Sequence, residues 1–543
     1  MKILKSQEGA AMTIAIIMLI AVSVFIVTAV SVINLNLGNV VNNERNQKAL
    51  GIAEAGVNYY MWHLNHAPND ITDNACAGAT NTADGYGPCV HNFIDSNGEV
   101  TGTFTLYIKQ KVLGSTIINV KSIGQVNGST IKRTIDADIG APSFASYALA
   151  TNMDIYLGAN EGVSGKIHSN TGIRMDWNGP YNDTISSSST TYVPIQGATN
   201  PNPARPGVWS NNYPSKNTPA GKPPQWQYPV NSLPFSSVMS QLCLMKKAAF
   251  ANVDNTANST FLSNSDPCSV TNGTQTNSYT PRYASAYDDK KGYLIKLKTN
   301  GTYTIQKVTD TTTTSNSKTP TTYSNRLVTD GTLTTYNIPT SGIVFVEDNV
   351  WVVADSGFTG RLTIASARPA EPNLHSGTNI VIASDLKYID TTGKDVLGLA
   401  TQGSVIVAPY APGVTGINNG FTLDINAAIL TAGTEALESG CAWMPVNYPS
   451  KKCTKAIYNS CNSSNNTSPS YNESNQHLKF LGSIAIGGAM FNWSNNCAGA
   501  GQVVGVINNE TAYDTHMLWY PPPLWPTTTT FQILRWREVL KTL

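Results

Sequence analysis

The sequence contains little charge. Asp, Glu, Lys and Arg together make up 13% of the 543 residues, whereas an average soluble protein has roughly 25%. The formal net charge is only +1, so the chain has no field that would attract a polyanion, and we expect no nucleic-acid partner. Thr, Val, Ile and Tyr are plentiful instead, and these residues favour strands. The composition predicts a mainly β protein, and the length predicts more than one domain.

The usual signatures of catalysis and metal binding are also scarce. No Cys-x-x-Cys is present, and the close pair His63 and His66 is too tightly spaced for a finger-type zinc site. The glycine-rich stretches lack the Lys-Ser or Lys-Thr that follows in a phosphate-binding loop. Asp385, Asp390 and Asp395 lie close together in sequence, but acidic residues in turns are normally solvated. We therefore expect no catalytic residues, no metal and no cofactor.

One long apolar run stands out against this background. Residues 10–33 carry no charge, and about 20 such residues suffice to span a bilayer. No other stretch is long and apolar enough to do so, so we expect the lipid bilayer to hold the protein through this run. Apolar residues then continue at helical spacing to Asn65, with Pro68 just beyond. The pattern predicts one helix over 10–65, roughly 80 Å long; the alternative is two helices that break near Gly38.

The leader before the run differs from an ordinary secretory signal, in which a small-residue cleavage site follows the apolar stretch. Here a basic leader, 1–9, ends in Gly9 directly before the apolar run, so cleavage would leave the run on the mature protein. The arrangement resembles the class III signal of type IV pilin-like proteins, and Ala-Glu-Ala-Gly at 53–56 resembles the helix that follows it. The resemblance implies cleavage between Gly9 and Ala10 by a prepilin peptidase. The alternative is an uncleaved signal anchor.

The same resemblance implies partners and a location. The mature helix of pilin-like proteins packs into a filament, so the expected partners are the peptidase and other pilin-like subunits. The expected location is the inner (cytoplasmic) membrane, crossed once with the C-terminal bulk exported, and the cell surface or pilus after assembly. Most pilins carry a glutamate at the fifth mature position, whereas this chain has Ile14 there. In related secretion systems the subunit without this glutamate lies at the tip, which implies a tip or initiator role.

All eight cysteines lie beyond the apolar run. In the oxidising compartment that an exported chain enters, such cysteines form disulfides; the alternative is that they are free thiols. Two pairs are local and isolated from the others, which predicts the bridges Cys76–Cys89 and Cys243–Cys268. The last four cysteines allow three connectivities, which stay open; they are Cys441, Cys453, Cys461 and Cys497.

Three segments after the helix show strand patterns, at 102–109, 117–124 and 130–139. Apolar residues fall on alternate positions, most clearly in the first segment, which is typical of half-buried strands. These segments predict a small β-meander domain over 66–140. In pilin-like proteins such a head packs on the outer half of the helix.

Short apolar strands then alternate with Gly and Asn turns over 141–175, and the same texture resumes over 331–543. The strand starts recur about every 20 residues, which indicates a solenoid whose coils bury their apolar sides against one another. We expect a parallel β-helix, in which the strands near Ile343, Leu362 and Ile380 run in the same direction. An antiparallel sandwich is the alternative.

The intervening region, 176–330, is rich in Pro, Asn and Thr and is interpreted as an insertion into the solenoid. One helix is expected after Pro234, and one hairpin is expected around the turn at 300–301. The sequences at 398–407 and 513–538 resemble β-helical domains found behind pilin-like N-termini.

The expected fold is therefore mainly β, with a long N-terminal membrane helix, a small β-meander head, and then a parallel β-helix with an inserted mixed region and a C-terminal cap. The expected function is that of a non-enzymatic structural subunit of a type IV pilus or type II secretion-like filament, at the tip and adhesive towards a host or surface glycan or protein. Tryptophans in loop-like sequence would serve such binding or fill hydrophobic gaps; they are Trp209, Trp226, Trp443, Trp493 and Trp519. The alternative is a membrane-tethered β-helix that binds or cleaves polysaccharide.

Overall fold

The computed structural model describes the chain between residues 8 and 539. The stretches outside that description are 68–69, 75, 111–116, 159–161, 177–180, 182, 195–202, 252–265, 267, 272, 284–287, 289, 312–323, 325–326, 373–377, 409–410, 412–421, 433–441, 446–475, 489–493, 497–502 and 529. The chain divides into two compact units. Unit 1 comprises Met1–Lys109, Ile118–Gly140 and Phe531–Leu543, and unit 2 comprises Gln110–Ile117 and Ala141–Thr530.

The described part of unit 1 consists of one helix and one sheet. The helix, α1, runs from Glu8 to His66 as a single element, and its 59 residues extend about 90 Å at 1.5 Å per residue. The helix does not break at Gly38. The sheet has six strands in the order β1-β2-β3-β4-β5-β30; they are β1 (Thr80–Thr82), β2 (Gly85–Ile94), β3 (Val100–Gln110), β4 (Ile117–Val126), β5 (Lys132–Gly140) and β30 (Gln532–Val539).

The alternating pattern of the strands decides which face of this sheet is buried. Phe104, Leu106 and Ile108 of β3 point to the same side, because side chains alternate along a strand, and all three are buried. They form one hydrophobic core with apolar residues of the second half of α1, including Val57 and Tyr60. The sheet and the second half of α1 thus share one hydrophobic core.

The last strand of unit 1 comes from the far end of the chain. β5 ends at Gly140, and β30 pairs with it in antiparallel register, so that Ile533 faces Ile139. Unit 2 lies between them in sequence. The sequence interpretation placed all of 331–543 in one domain, whereas the structure assigns Phe531–Leu543 to unit 1. The pairing depends on ion pairs between residues about 400 positions apart, and no local pattern reports such pairs.

In the described part of unit 2, most strands belong to one large sheet and a second sheet beside it. The large sheet has twelve strands; they are β6 (Leu149–Thr151), β8 (Ile167–Ser169), β10 (Ile185–Ser187), β14 (Trp226–Gln227), β15 (Tyr279–Thr280), β19 (Ile343–Val346), β21 (Arg361–Ser366), β23 (Val396–Thr401), β25 (Thr422–Thr431), β27 (Gln476–Ile486), β28 (Ser494–Asn496) and β29 (Val503–Tyr513). The second sheet has seven; they are β16 (Gly292–Leu297), β17 (Thr302–Thr311), β18 (Leu327–Asn337), β20 (Asn349–Ala354), β22 (Ile380–Ile382), β24 (Val405–Val407) and β26 (Ala442–Pro445).

Two small sheets complete the described strands. One contains β7 (Ile155–Leu157), β9 (Ile173–Met175) and β13 (Val208–Trp209), and the other contains β11 (Thr191–Tyr192) and β12 (Arg205–Pro206). A 13-residue helix, α2, runs from Val238 to Phe250. The mainly β fold and the long N-terminal apolar helix predicted from the sequence are thus confirmed.

From β19 to β27, successive strands alternate between the two larger sheets, and most pairings within each of these sheets are parallel. In the large sheet β19, β21, β23, β25 and β27 follow one another in parallel, while β20, β22, β24 and β26 do so in the second sheet. Ile343 and Leu362 accordingly lie in neighbouring parallel strands. Ile380 lies in the other sheet, beside Val350. The predicted repeat of about 20 residues therefore counted strands of both sheets as one series.

The order of strands in the large sheet differs from their order in the chain. It reads β14-β10-β8-β6-β27-β25-β23-β21-β19-β15, so the earliest strands stack onto the latest one. One buried row runs through this junction, because Ile429 faces Ile484, Ile484 faces Leu149 and Leu149 faces Ile167. The two stretches that the sequence assigned to one stack meet at β6 and β27.

A second row of the large sheet is made of buried hydroxyls. Thr151, Ser169 and Ser187 lie side by side on β6, β8 and β10. Ser169 Oγ donates to the carbonyl oxygen of Met153 at 2.7 Å, and Ser187 Oγ donates to that of Thr171 at 2.8 Å. Each of these two serine hydroxyls thereby donates to a backbone carbonyl that lies 16 residues earlier in the chain, and the bond satisfies the buried polar groups.

The predicted insertion, 176–330, contributes strands to these sheets. Its expected helix is α2, and its expected hairpin is the antiparallel pair β16 and β17. However, β10 and β14 extend the large sheet at one end, and β15 extends it at the other. α2 contributes Val238, Leu242 and Met245 to a second core on the outer face of the large sheet, where small residues such as Ala365 and Ala400 lie. α2 contacts β19 and β15, at the end of the large sheet that β15 forms.

Candidate assembly site: the N-terminal helix and the sheet behind it

The first half of α1 is apolar on all sides and exposed in the isolated chain. Its large side chains lie in the open from Met12 to Val41. Three hydroxyls inside the apolar run are satisfied by the helix itself, since Ser23, Thr28 and Ser31 donate to backbone carbonyls three or four residues earlier. By length and composition, α1 is able to cross a membrane.

Gly9 and Ala10 lie in the first turn of α1. The structure describes the backbone there but not the side-chain surroundings, so cleavage between these residues stays a prediction. Ile14 lies one turn further and is exposed.

The second half of α1 is held by close contact with the sheet. Ala49, Ala53 and Gly56 lie on the buried side, and Glu54 faces solvent. A Cβ at Gly56 would lie 2.9 Å from the ring of Phe104, and a Cβ at Gly124 in β4 would overlap the backbone of α1. The small residues of the Ala-Glu-Ala-Gly motif therefore let helix and sheet approach one another more closely than larger side chains allow.

A buried polar cluster holds the loop that follows α1. Asp73 is buried, with a φ of 53°, and its carboxylate accepts a hydrogen bond from Tyr59 Oη at 3.2 Å and contacts His91 Nε2 at 2.7 Å. His63 Nε2 lies 3.0 Å from the carbonyl oxygen of Asp70. His63 and His66 are close in sequence, but the ring of His66 is exposed and contacts Trp62 instead. The histidine that shares a cluster with His63 is His91, which comes from the sheet and which no sequence spacing could identify.

The disulfide Cys76–Cys89 closes the same loop onto β2, with the two Cα atoms 5.6 Å apart. In unit 2 a second disulfide, Cys243–Cys268, joins α2 to the following loop, with the Cα atoms 5.4 Å apart. Both pairs are those that local spacing predicted. Cys441, Cys453, Cys461 and Cys497 lie outside the described residues.

One group of side chains among the described residues has a spacing that would suit a metal, and it consists of Cys243, Asp266 and Cys268. Because both cysteines belong to the disulfide, their sulfurs are not thiolates and do not serve as metal ligands there. The group therefore gives no support to a metal site.

Charged side chains fasten β30 onto β5. Arg535 Nε donates to Asp138 at 2.6 Å, Arg537 Nε donates to Asp136 at 2.9 Å, and Arg133 pairs with Glu538. Burial alone would raise the pKa of Asp136, but hydrogen bonds from Asn119 and Arg537 and the charges of Arg535 and Arg537 hold it below its usual value. We refer to these pairs as the charge clasp.

The end of α1 is fastened to the same strand region. Asn65 Nδ2 donates to the carbonyl oxygen of Phe531 at 3.2 Å, and the Phe531 amide donates to Asn65 Oδ1 at 2.7 Å. The Asn65 side chain thus makes the pair of hydrogen bonds that a neighbouring strand would make, just before β30 begins. The last part of the C-terminal motif therefore belongs to unit 1 and holds the end of α1.

The proline-rich part of that C-terminal motif belongs to unit 2 and packs on the large sheet. Trp525 is buried on the outer face of the large sheet, where a Cβ at Gly398 would lie 2.5 Å from its ring. Arg361 donates to the carbonyl oxygens of Tyr520 and Pro521 at 3.1 and 2.6 Å, and Thr363 Oγ1 donates to that of Pro523 at 2.7 Å. The segment lies as a strap over the sheet.

The three neighbouring aspartates each have structural partners. Asp395 is buried and accepts hydrogen bonds from the amides of Gly360 and Asp390 at 2.8 and 2.7 Å. Asp390 accepts from the amide of Thr392 at 2.7 Å within its own turn. Burial raises the pKa of Asp385, whose carboxylate accepts from the Asp424 amide at 3.1 Å. These bonds fit turn-stabilising roles.

The tryptophans singled out in the sequence separate into two groups. Trp209 and Trp226 are buried, as expected of residues that fill gaps in a core, whereas Trp519 is 43% exposed. The side chains of Trp443 and Trp493 lie outside the description. Trp209 Nε1 donates to Tyr192 Oη at 2.8 Å, which satisfies its one donor.

Comparison with known proteins adds little to this geometry. No protein-family profile matches the chain, and no curated protein is similar to it. Among solved structures, the competence-associated pilin ComZ from Thermus thermophilus aligns with 92% of this chain and 98% of its own, at 12% sequence identity and a TM-score of 0.26. A TM-score of this size does not show a common fold.

Proposed function

We propose that this protein is a membrane-anchored, pilin-like structural subunit. The observation that carries the proposal is the division of α1 into two halves of different character. The first half exposes large apolar side chains on every side, and the second half buries one stripe against a small sheet. A helix that is apolar all round needs an apolar environment, which a bilayer or the interior of a helical filament provides.

The finer features of the proposal follow from the sequence resemblance. A prepilin peptidase removes 1–9 and leaves Ala10 as the first residue. The mature chain rests in the inner membrane through 10–33 and then joins other pilin-like subunits, with Ile14 suiting a position at the tip. Its role is structural, and its exposed loops bind a surface glycan or protein. Trp519 is one exposed aromatic side chain that suits such contact.

For unit 2 we propose a parallel β-helix that the helix-bearing unit displays outside the cell. Support comes from the alternation of strands between two sheets, the parallel pairing within each sheet, and the continuous buried row through Ile429, Ile484, Leu149 and Ile167. An antiparallel sandwich would require hairpin pairings, which in the described part of the two larger sheets occur at β16–β17, β17–β18 and β28–β29.

The processing step gives the most direct test. The chain is produced in bacterial membranes with and without a prepilin peptidase, and its N-terminus is determined by mass spectrometry. We expect Ala10 as the first residue only with the peptidase. Gly9→Val should block cleavage, whereas the leader substitution Lys5→Gln should leave it intact. An unprocessed Met1 in the presence of a peptidase that cleaves a known pilin would overturn the proposed function.

Assembly is tested separately from processing. Filaments sheared from cells that express the full pilus machinery should contain the processed chain, and the Gly9→Val variant should remain in the membrane fraction. A chain that is processed but never leaves the membrane would contradict incorporation into a filament and leave only the anchor.

A further inference from the structure

α2 carries a fully buried lysine. Lys246 has no exposed side-chain surface, and its ammonium group donates to Glu347, whose side chain is 4% exposed. Glu347 directly follows β19, so the pair joins α2 to the large sheet across 101 positions of sequence. Two opposite charges without water are expensive to bury, because the mutual attraction rarely exceeds the loss of hydration.

Aromatic rings enclose this pair. The Lys246 Nζ lies 5.7 Å from the centre of the Phe250 ring and 6.0 Å from that of Tyr279, and both rings are buried. Tyr279 Oη donates to the second carboxylate oxygen of Glu347, Oε2, at 2.8 Å. Burial, and then the Glu347 carboxylate, raise the pKa of Tyr279, so its hydroxyl keeps its proton and remains a donor.

The backbone on both sides of Glu347 is fixed. Its amide donates to the carbonyl oxygen of Thr280 at 3.0 Å, and its carbonyl oxygen accepts from Arg368 Nε at 2.8 Å. Arg368 Nη2 lies 3.6 Å from Asp348 Oδ1. An amine and a carboxyl group held together in a dry site have the high effective concentration that favours bond formation between them.

We propose that Lys246 and Glu347 are joined by an amide bond, an intramolecular cross-link between α2 and the large sheet. A proton first passes from the Lys246 ammonium to Glu347 Oε1, which leaves an amine and a carboxylic acid. Nζ then attacks Cδ, and Tyr279 stabilises the negative charge that develops on Oε2. The Cδ–Oε1 bond breaks, and Oε1 leaves as water with the transferred proton and a second proton from Nζ. Atoms and charge balance, since an ammonium and a carboxylate yield one amide and one water with no other reagent.

The cross-link would remove both buried charges and fix α2 to the large sheet. The disulfide Cys243–Cys268 already holds the same helix one turn earlier. The inference does not depend on the role of α1.

Peptide mapping of the purified full-length chain in detergent tests the proposal. After reduction of the disulfides and tryptic digestion, we expect one branched peptide that contains Lys246 and Glu347 and is lighter by one water molecule than the two linear peptides together. Cleavage after Lys246 should be absent. Linear peptides alone, with free Lys246 and free Glu347, would overturn the cross-link, whatever the outcome of the processing experiment.

Two substitutions sharpen the result. Lys246→Arg keeps the charge but has no amine that forms a stable amide, so the branched peptide should disappear, whereas Lys247→Arg should retain it because Lys247 is exposed and pairs with Asp266. Tyr279→Phe keeps the ring and removes the donor, so the cross-linked fraction should fall in newly made protein. An unchanged fraction in Tyr279→Phe would remove Tyr279 from the mechanism. If Lys246→Arg does not fold, the wild-type peptide map alone decides.

Discussion

Unit 1 and unit 2 are both built on β-sheets, but they obtain a buried core in different ways. In unit 1 a single helix stripe covers one face of a sheet, and the sheet is completed by a strand from the far end of the chain through charged pairs. In unit 2 short strands pair mostly in parallel, and rows of like residues, aliphatic or hydroxyl, repeat across the paired strands. Unit 1 depends on a few specific contacts, whereas unit 2 spreads its stability over repeated ones.

The comparison teaches where each unit is vulnerable. In the stacked unit the most sensitive point should be the junction of β6 and β27, since two distant parts of the chain meet there. In the helix-bearing unit it should be the glycines that allow helix and sheet to touch. Three experiments test this difference, and hydrogen exchange measured by mass spectrometry reports on the two units separately.

The largest effect is expected at the junction of unit 2. Ile484→Ala removes a buried side chain between Ile429 and Leu149 and should lower the free energy of unfolding of unit 2 by about 2–5 kcal/mol. Peptides of β6 and β25 should exchange faster, while peptides of β3 and β4 should not change. Ile389→Ala is the matched control, because Ile389 is 57% exposed. An equal loss in both variants would contradict a continuous core through the junction.

The next largest effect is expected in α1. Replacing a glycine by alanine should lower the stability of unit 1 at one position and raise it at another. At Gly56 a Cβ would press on the Phe104 ring, so Gly56→Ala should destabilise unit 1 by about 1–3 kcal/mol. At Gly51 nothing lies within 4 Å of the added atom, so Gly51→Ala should stabilise the helix by up to about 1 kcal/mol. Urea unfolding of unit 1 measures both. A stabilising Gly56→Ala would show that close approach is not what the motif provides.

The smallest effect is expected from acid acting on the charge clasp. The folded pKa of Asp136 lies below its ordinary value of 3.8, so its contribution to stability is present above that value and is lost as the pH falls through the folded pKa. Unit 1 should therefore lose stability as the pH falls below about 4. Asp136→Asn should lower stability at pH 7 and flatten that part of the dependence. A variant with the unchanged acid dependence would exclude Asp136 as its source.

Local patterns account for the elements that the sequence predicted well. The apolar run and the three- and four-residue spacing predicted α1, Pro234 and the following stripe predicted α2, and the Asn-Gly turn predicted the β16–β17 hairpin. The spacing of Cys76 and Cys89, and of Cys243 and Cys268, predicted the two described disulfides. Each of these features depends on residues that are close in sequence, where periodicity and turn chemistry are directly readable.

Contacts between distant residues account for what the sequence left open. Asp136 and Arg537, Asp73 and His91, and Lys246 and Glu347 are each ordinary charged or polar residues in their local context, and only the fold brings them together. The regular spacing near 20 residues was a composite of two sheets, because both kinds of strand are short and apolar. A spacing pattern alone does not state which strand pairs with which.

The sequence by itself determined that this protein is mainly β, that one apolar helix begins it, and that local cysteine pairs are close enough to bond, because hydrophobic period, run length and loop length act over a few residues. Only the tertiary structure decided that the earliest strands of unit 2 stack on β27 and that β30 returns to unit 1. The physical reason is that a parallel ladder accepts any strand with a matching apolar row, whatever its position in the chain. The choice among such partners is made by side chains that meet only after folding, such as Ile484 with Leu149 and Arg535 with Asp138.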